Sequence, residues 1–362
     1  MASLDDPQLL QAPGTGSMLQ AAMMVPHDAR RALENAEKLD LSGLENRGYK
    51  GLIITGMGGS AVGGLLLRDW LMDNSSIPIH VSRGYHLPAW ADEDTLVYAV
   101  SYSGDTEETL SQYREALKRG CPTVCFASGG ELTRSAGLHE LPCLGYPKGY
   151  QPRAAIAHQF FGLAATTRRL GLIDDETWGQ VDEAITLLEE LRGRMSSETP
   201  TSTNPAKRLA MSLKGYIPFV YGGEAYETVV YRYTTQLNEN SKSPAAHNFI
   251  PEAFHNSVMA REASPDLLKR CCAVVINDPG ETRLKPKAKR FKDLLSESFG
   301  KLVEVDAVGE GKLARMLSAL YTGDFISVYL SVLYGKDPSS TDSIIALKDQ
   351  RATEDRDVDA PL

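Results

Sequence analysis

Short apolar runs alternate with amphipathic stretches along most of this chain. GLIITGM (51–57) is apolar and ends in glycines, which reads as a buried strand. SAVGGLLLRDWLMD follows with its apolar residues at helical spacing. IPIHVSRG and TLVYAVSYSG predict two more strands, and TVCFASGG a fourth. Between the last two lies DTEETLSQYREALKRG, a predicted helix with Asp105 as its N-cap and Glu108 three residues on. Residues 154–195 read as helical, and ETPTSTNPAK (198–207) breaks the pattern. The alternation then resumes. YIPFVYGGEA is a strand entering a Gly-rich turn, and TVVYRYTTQL is a helix. CCAVVIND and LVEVDAV are strands flanking a basic helix, TRLKPKAKRFKDLLSES. A long apolar helix covers MLSALYTGDFISVYLSVLYG.

This β-α-β alternation predicts an α/β protein with parallel sheets and helices on both faces. Each half opens with a strand running into glycines, LIITGMGGSA and PFVYGGEAYE, a weak internal repeat. The expected division is a helical lead-in (1–44, amphipathic over 18–39), a first domain (45–197) and a linker (198–207). A second domain with a C-terminal helix (208–350) and a polar tail (351–362) complete it. A length of 362 residues accommodates two such cores.

A formal net charge of −9 argues against nucleic acid and acidic lipid as partners. An anionic substrate would need a local cradle of donors to offset that field. The cysteines, Cys121, Cys125, Cys143, Cys271 and Cys272, are odd in number with no CxxC pair. Free thiols in a reducing compartment are expected, and the N-terminus has no basic and apolar leader, so the expected location is the cytoplasm. The longest apolar stretch, around Leu65, Leu66 and Leu67, is too short to span a bilayer, so no membrane association is expected.

Two loops carry candidate chemistry. GMGGSA (56–61) follows a strand and opens a helix, where backbone N–H groups approach an anion closely. A tight turn without ligand, a dinucleotide fingerprint and a phosphosugar cradle all fit it. The dinucleotide reading wants a carboxylate at the end of the next strand. IHVSRG offers Ser82 and Arg83 instead, which counts against NAD and leaves NADP open. SYSGDTEET (101–109) sets Ser101, Ser103 and Thr106 around Gly104. One hydroxyl suffices for a cap, and three in one turn favour a phosphate monoester.

GMGGSAVGG followed about forty residues later by SYSGDTEET resembles the first half of a sugar isomerase (SIS) domain pair. QPRAA (151–155), TTQLNENSKSPAAHNFIPEAFHN (234–256) and GDFISVYLSVLYGKDPSSTDSIIALK (323–348) narrow the likeness. Together they resemble the bifunctional phosphoglucose/phosphomannose isomerase family over residues 50–348. The resemblance implies two tandem SIS domains of flavodoxin-like, parallel-sheet architecture. It implies a homodimeric enzyme that interconverts glucose 6-phosphate and mannose 6-phosphate with fructose 6-phosphate, without metal or cofactor. It places Gly58, Gly59, Ser60, Ser101, Ser103 and Thr106 about the substrate phosphate. Glu239 becomes the base that moves a proton between C1 and C2, and Arg153 stabilises the enediolate. His255, delivered from the partner subunit, and Lys348 become the ring-opening pair. Thr341 stands where the family accepts both epimers. NENSK departs from the family in carrying Ser241 for alanine, a change expected to be tolerated.

Residue chemistry agrees with these roles. Aldose–ketose interconversion removes a proton from carbon beside a carbonyl, work for a positioned carboxylate. One electrostatic donor to the developing oxyanion is worth about 3 kcal/mol, and arginine keeps its charge throughout. Histidine suits the proton exchange of ring opening. Taken singly, each residue has an ordinary reading. Glu239 would be a solvated helix-end acid, His255 a satisfied neighbour of Asn256, Lys348 a surface lysine and Arg153 an ion-pair partner. A non-catalytic phosphosugar regulator and an NADP-dependent oxidoreductase are the other classes considered; the first is weakened by the lack of a helix-turn-helix extension. GEGKLA is not a P-loop, because Asp306 and Leu313 occupy required Gly and Ser/Thr positions.

Overall fold

The computed structural model describes residues 3–45 and 47–347. Lys348 and the expected tail at 351–362 lie outside the described residues. Helices α1 (Pro7–Leu10) and α2 (Pro13–Glu37) open the chain. The first sheet takes β1 (Gly51–Thr55), β2 (Ile79–Ser82), β3 (Thr95–Val100), β4 (Thr123–Ala127) and β5 (Cys143–Gly145). Its crossovers carry α3 (Gly59–Leu71), α4 (Glu107–Lys118) and α5 (Gly130–Leu138). Next come α6 (Ile156–Arg169), α7 (Asp175–Trp178), α8 (Gln180–Met195) and α9 (Pro205–Leu213). The second sheet takes β6 (Ile217–Gly223), β7 (Ala246–Ile250), β8 (Cys271–Asn277) and β9 (Lys301–Asp306). With it come α10 (Glu227–Glu239), α11 (Pro265–Leu268), α12 (Lys285–Ser298) and α13 (Lys312–Tyr334).

Both sheets are wholly parallel, ordered β2-β1-β3-β4-β5 and β7-β6-β8-β9. The central strands β1, β3, β4 and β8 read as near-continuous apolar runs because both sheet faces are covered there. Leu52 and Ile54 of β1 and Leu96, Tyr98 and Val100 of β3 turn into the large common core. Their alternate neighbours, Ile53 and Val97, pack the other way against Leu87, Ala91 and Ala116. The second sheet repeats the device. Val220, Val274 and Ile276 join the common core, while Tyr221, Ala273 and Val275 meet Phe291 and Leu295 of α12. The common core therefore runs from one sheet to the other through α2, α6, α8 and α13. Each fully buried aliphatic or aromatic side chain contributes about 1.5–3 kcal/mol there.

A polar clasp also joins the halves. The Asp69 carboxylate of α3 accepts from the Thr228 N–H at 2.8 Å and from the Thr228 hydroxyl, both on α10. Arg68 bridges Asp69 and Glu227. Burial raises the Asp69 pKa against the pull of Arg68 and the Thr228 donors.

Some sequence expectations shift. Helix α13 is long and apolar enough to cross a membrane by length and composition, well beyond the stretch around Leu66. It is instead a core helix, with 94 % of its most apolar window buried. Asp105 does not cap α4. Thr106 is the N-cap, and the Asp105 carboxylate accepts from the Glu131 N–H of α5 at 2.8 Å. The cause is Gly104, whose φ of +79° turns the chain toward the neighbouring loop. The stretch expected as a linker gives way to α9 at Pro205, with Asn204 as its buried N-cap. Strands β5 and β7 do not stand out in the sequence. One has three residues, and the other is an edge strand with mixed burial.

Candidate active site

The first sheet changes winding direction between β1 and β3, which are adjacent and parallel. In open α/β sheets, ligands collect outside the strand carboxyl ends at such a point. The GMGGSA and SYSGDT loops both leave the sheet there. Gly58 takes a φ of +50° at the start of α3. Ser60 Oγ accepts from the Tyr102 N–H at 3.1 Å, tying the two loops together. Ser101 is fully buried; its Oγ accepts from the Gly104 N–H at 3.0 Å and shares a 2.8 Å hydrogen bond with Thr106 Oγ1. Ser60 and Ser101 thus brace the cradle. Ser103 is exposed and Thr106 half-buried at its rim. Neither α3 nor α4 has a side-chain hydrogen bond at its N-cap. At α3 the Ser60 and Ala61 N–H groups bond the Met57 and Gly58 carbonyls, which leaves the Gly59 N–H beside the uncapped first turn of α4 at one sheet edge, a suitable setting for a phosphate.

Gly59 brings this cradle against QPRAA. A Cβ at Gly59 would lie 2.8 Å from the Arg153 backbone nitrogen, so only glycine permits the approach. Arg153 sits in a 3-10 turn, Pro152–Ala155, with its side chain 3 % exposed. Its Nε donates to Asn240 Oδ1 at 2.8 Å, its Nη2 to the Pro338 carbonyl and its Nη1 to Glu239 Oε2 at 3.3 Å. Glu239 ends α10, with its side chain 31 % exposed. The guanidinium is buried behind the carboxylate, and the carboxylate faces outward. Among the described residues Glu239 Oε1 has no hydrogen bond and remains available. Burial lowers the Arg153 pKa, Glu239 pulls it back up and Arg232 pushes it down again.

The pair is supported from beneath. Arg232 of α10 donates to the Arg153 carbonyl at 2.9 Å. It also grips Asp324 of α13 with two hydrogen bonds of 2.8 Å. Gln236 Nε2 donates to the same carboxylate at 3.0 Å. Asn240 Nδ2 donates to Ser327 Oγ at 2.9 Å. Beside Glu239, Lys242 takes a φ of +55° and donates to the Glu239 carbonyl and, at 2.8 Å, to the Ser340 carbonyl. Burial and the nearby Arg153 charge lower the Lys242 pKa. Glu239, Lys242 and Thr341 line a cavity of about 170 Å³.

The cradle, Arg153, Glu239 and Thr341 therefore stand along one connected chain of contacts. His255 does not join them. It is exposed after the 3-10 turn Glu252–Phe254, and no hydrogen bond or ion pair links its ring to Arg153 or Glu239. Lys348 lies outside the described residues. Among the described residues no His, Cys, Asp or Glu group of three or more is arranged to hold a metal ion.

The chain is 36 % identical over 339 residues to a protein of Caldicellulosiruptor bescii named bifunctional phosphoglucose/phosphomannose isomerase. The match covers 92 % of this chain and 99 % of that one. The chain belongs to the bifunctional phosphoglucose/phosphomannose isomerase family. A second relative so named, from Aquifex aeolicus, is 35 % identical across 83 % of this chain and 90 % of its own. Residues 202–350 match the model of the bacterial phospho-glucose isomerase C-terminal SIS domain. The architecture is likewise similar to a solved glucose-6-phosphate isomerase like protein from Thermus thermophilus. That likeness has a TM-score of 0.64 at 21 % identity, over 94 % of this chain and 98 % of that one. The fold of this phosphoglucose/phosphomannose isomerase relative is thus the expected pair of parallel-sheet SIS domains.

Arg232, Gln236, Asn240, Asp324 and Ser327 were not singled out from sequence as parts of the site of this isomerase family member. Two of them left a trace. Asp324 is the only charged residue between Arg315 and Lys336 in an otherwise apolar stretch, a sign of a buried partner. Arg232 precedes Glu239 by two helical turns and so shares its face.

Proposed function

We propose that this chain is an aldose–ketose isomerase interconverting glucose 6-phosphate, and its C2 epimer mannose 6-phosphate, with fructose 6-phosphate. The observation that carries the reading is the Arg153–Glu239 contact of 3.3 Å, set beside the hydroxyl and N–H cradle. The phosphate sits in the loops that contain Gly58, Gly59, Ser60, Ser101, Ser103 and Thr106. Glu239 takes the C2 proton of the open-chain aldose, and a C1–C2 double bond forms as electrons move to O1. The Arg153 cation offsets the charge on O1 and O2. O1 gains a proton, O2 gives one up, and the Glu239 carboxyl returns its proton to C1. His255 of the partner subunit and Lys348 exchange protons between the ring oxygen and O1 before and after this step. Thr341 lies where O2 of either epimer is accommodated. We also place the protein in the cytoplasm, which suits its five free cysteines.

A coupled assay on fructose 6-phosphate tests the reading. Turnover to both aldose phosphates, unchanged by EDTA, is the expected outcome. Binding without turnover would point to a phosphosugar sensor instead. Loss of turnover in EDTA would replace this mechanism with metal chemistry.

Mixing variants tests the shared site. His255→Ala and Glu239→Gln subunits are each expected to be inactive alone. In a mixed dimer, one site pairs the intact Glu239 of the first with the intact His255 of the second. Equal mixing should therefore restore about a quarter of wild-type activity. No recovery after verified subunit exchange would place His255 in its own subunit's site or outside the chemistry.

A further inference from the structure

The second sheet keeps the geometry with which the first builds its cradle. Its order reverses between β6 and β8, and the chain leaves both strands at one edge. A cavity of about 580 Å³ lies at that edge, in the size range of small-molecule pockets. Gly223 stands at the end of β6, Asn277 and Asp278 at the end of β8, and Asp306 at the end of β9. The first two turns of α12 close the opposite side.

The charges of this cavity are unequally committed. Asp278 pairs with Arg315 and accepts from the Gly280 N–H, at 2.8 Å each. Glu281 accepts from the Leu284 N–H at 3.0 Å, and Lys292 is paired with Glu304 at 2.6 Å. Asp306 offers Oδ1 to Asn277 Nδ2 at 2.8 Å. Lys285 and Lys289 have no hydrogen bond or ion pair among the described residues. They lie one turn apart on α12, whose N-cap, Leu284, supplies no side-chain acceptor. Lys285 and Lys289 are the cations left uncommitted at the cavity, Glu281 and Asp306 bring carboxylates without an ion pair among the described residues, and the wall behind is apolar, with Ile250, Val275 and Ile276. The hydroxyl triplet that marks the first-domain loops is missing here.

We propose that this cavity is a second ligand site, for a nucleoside phosphate. Lys285 and Lys289 meet the phosphates at the open start of α12. The base lies against Ile250, Val275 and Ile276. Asp306 ends the strand after the β8–α12 crossover, where nucleotide-binding α/β folds place the carboxylate that takes ribose hydroxyls. Its Oδ2 has no hydrogen bond among the described residues.

ADP is the probe, with inorganic phosphate and fructose 6-phosphate as separate arms, on the full chain. ADP is expected to raise the melting temperature and to give saturable binding by calorimetry, undiminished by saturating fructose 6-phosphate. Two charge-assisted contacts are together worth about a hundredfold in affinity. The Lys285→Gln, Lys289→Gln double variant should lose that much ADP affinity while keeping its turnover of fructose 6-phosphate. No response to ADP at millimolar concentration would overturn the proposal. So would equal affinity in the double variant, competition by fructose 6-phosphate, or an equal response to phosphate alone. Failure of the isomerase assay would leave this test intact, since binding is read independently of turnover.

Discussion

Glu239→Gln is expected to lower kcat on fructose 6-phosphate by about 10²–10⁴-fold, while binding of the phosphosugar and the fold persist. The reason lies in the division of labour around the residue. Glutamine keeps the shape of the side chain but cannot accept the C2 proton and return it to C1. Arg153 loses one contact of 3.3 Å and keeps Asn240 and the Pro338 carbonyl, so it stays in place. The Glu239 side chain is 31 % exposed, and the buried Arg153 guanidinium, left without this counter-ion, keeps its hydrogen bonds to Asn240 and the Pro338 carbonyl. The proposed phosphate cradle is built from other residues and retains its own bracing. Steady-state kinetics, paired with titration of fructose 6-phosphate, separates the two effects. A kcat within tenfold of wild type would remove Glu239 as the proton carrier. Equal loss of binding and turnover would make it a structural residue.

How much of this was legible in sequence depends on the range of each interaction. The strands β1, β3, β4 and β8 stood out because helices cover both faces of their sheets, so their central positions are apolar. Strand β7 did not, since it lies at a sheet edge and His247 on it is exposed. The candidate phosphate loop of Ser101, Ser103 and Thr106 was readable because a turn gathers its hydroxyls within six residues. The structure adds that Ser101 is consumed largely in holding that turn together. Arg153 and Glu239 are 86 positions apart, and nothing local marks either. Only the family resemblance joined them before the fold did. Arg232 and Asp324, 92 positions apart, had no such help. A lone carboxylate in an apolar helix announces a partner without naming it.

That buried pair leads to the second large effect. Arg232→Met is expected to destabilise the protein by about 3–5 kcal/mol, because it leaves Asp324 buried with its main cation removed. Arg232 is 2 % exposed and Gln236 alone supplies too little to offset the loss. Activity should fall as well, since Arg232 also holds the Arg153 carbonyl at 2.9 Å. The two consequences come apart in the double variant Arg232→Met, Asp324→Leu. Replacing both members of a buried ion pair with apolar residues of similar volume is often neutral for stability. The double variant should therefore recover most of the lost stability in urea melts. It should not recover kcat, because no donor is restored to the Arg153 carbonyl and the guanidinium loses its registration on Glu239. Recovery of both would reduce Arg232 to a packing residue. Recovery of stability alone would establish that Arg232, held by Asp324, reaches across to the Arg153 carbonyl to aim that residue.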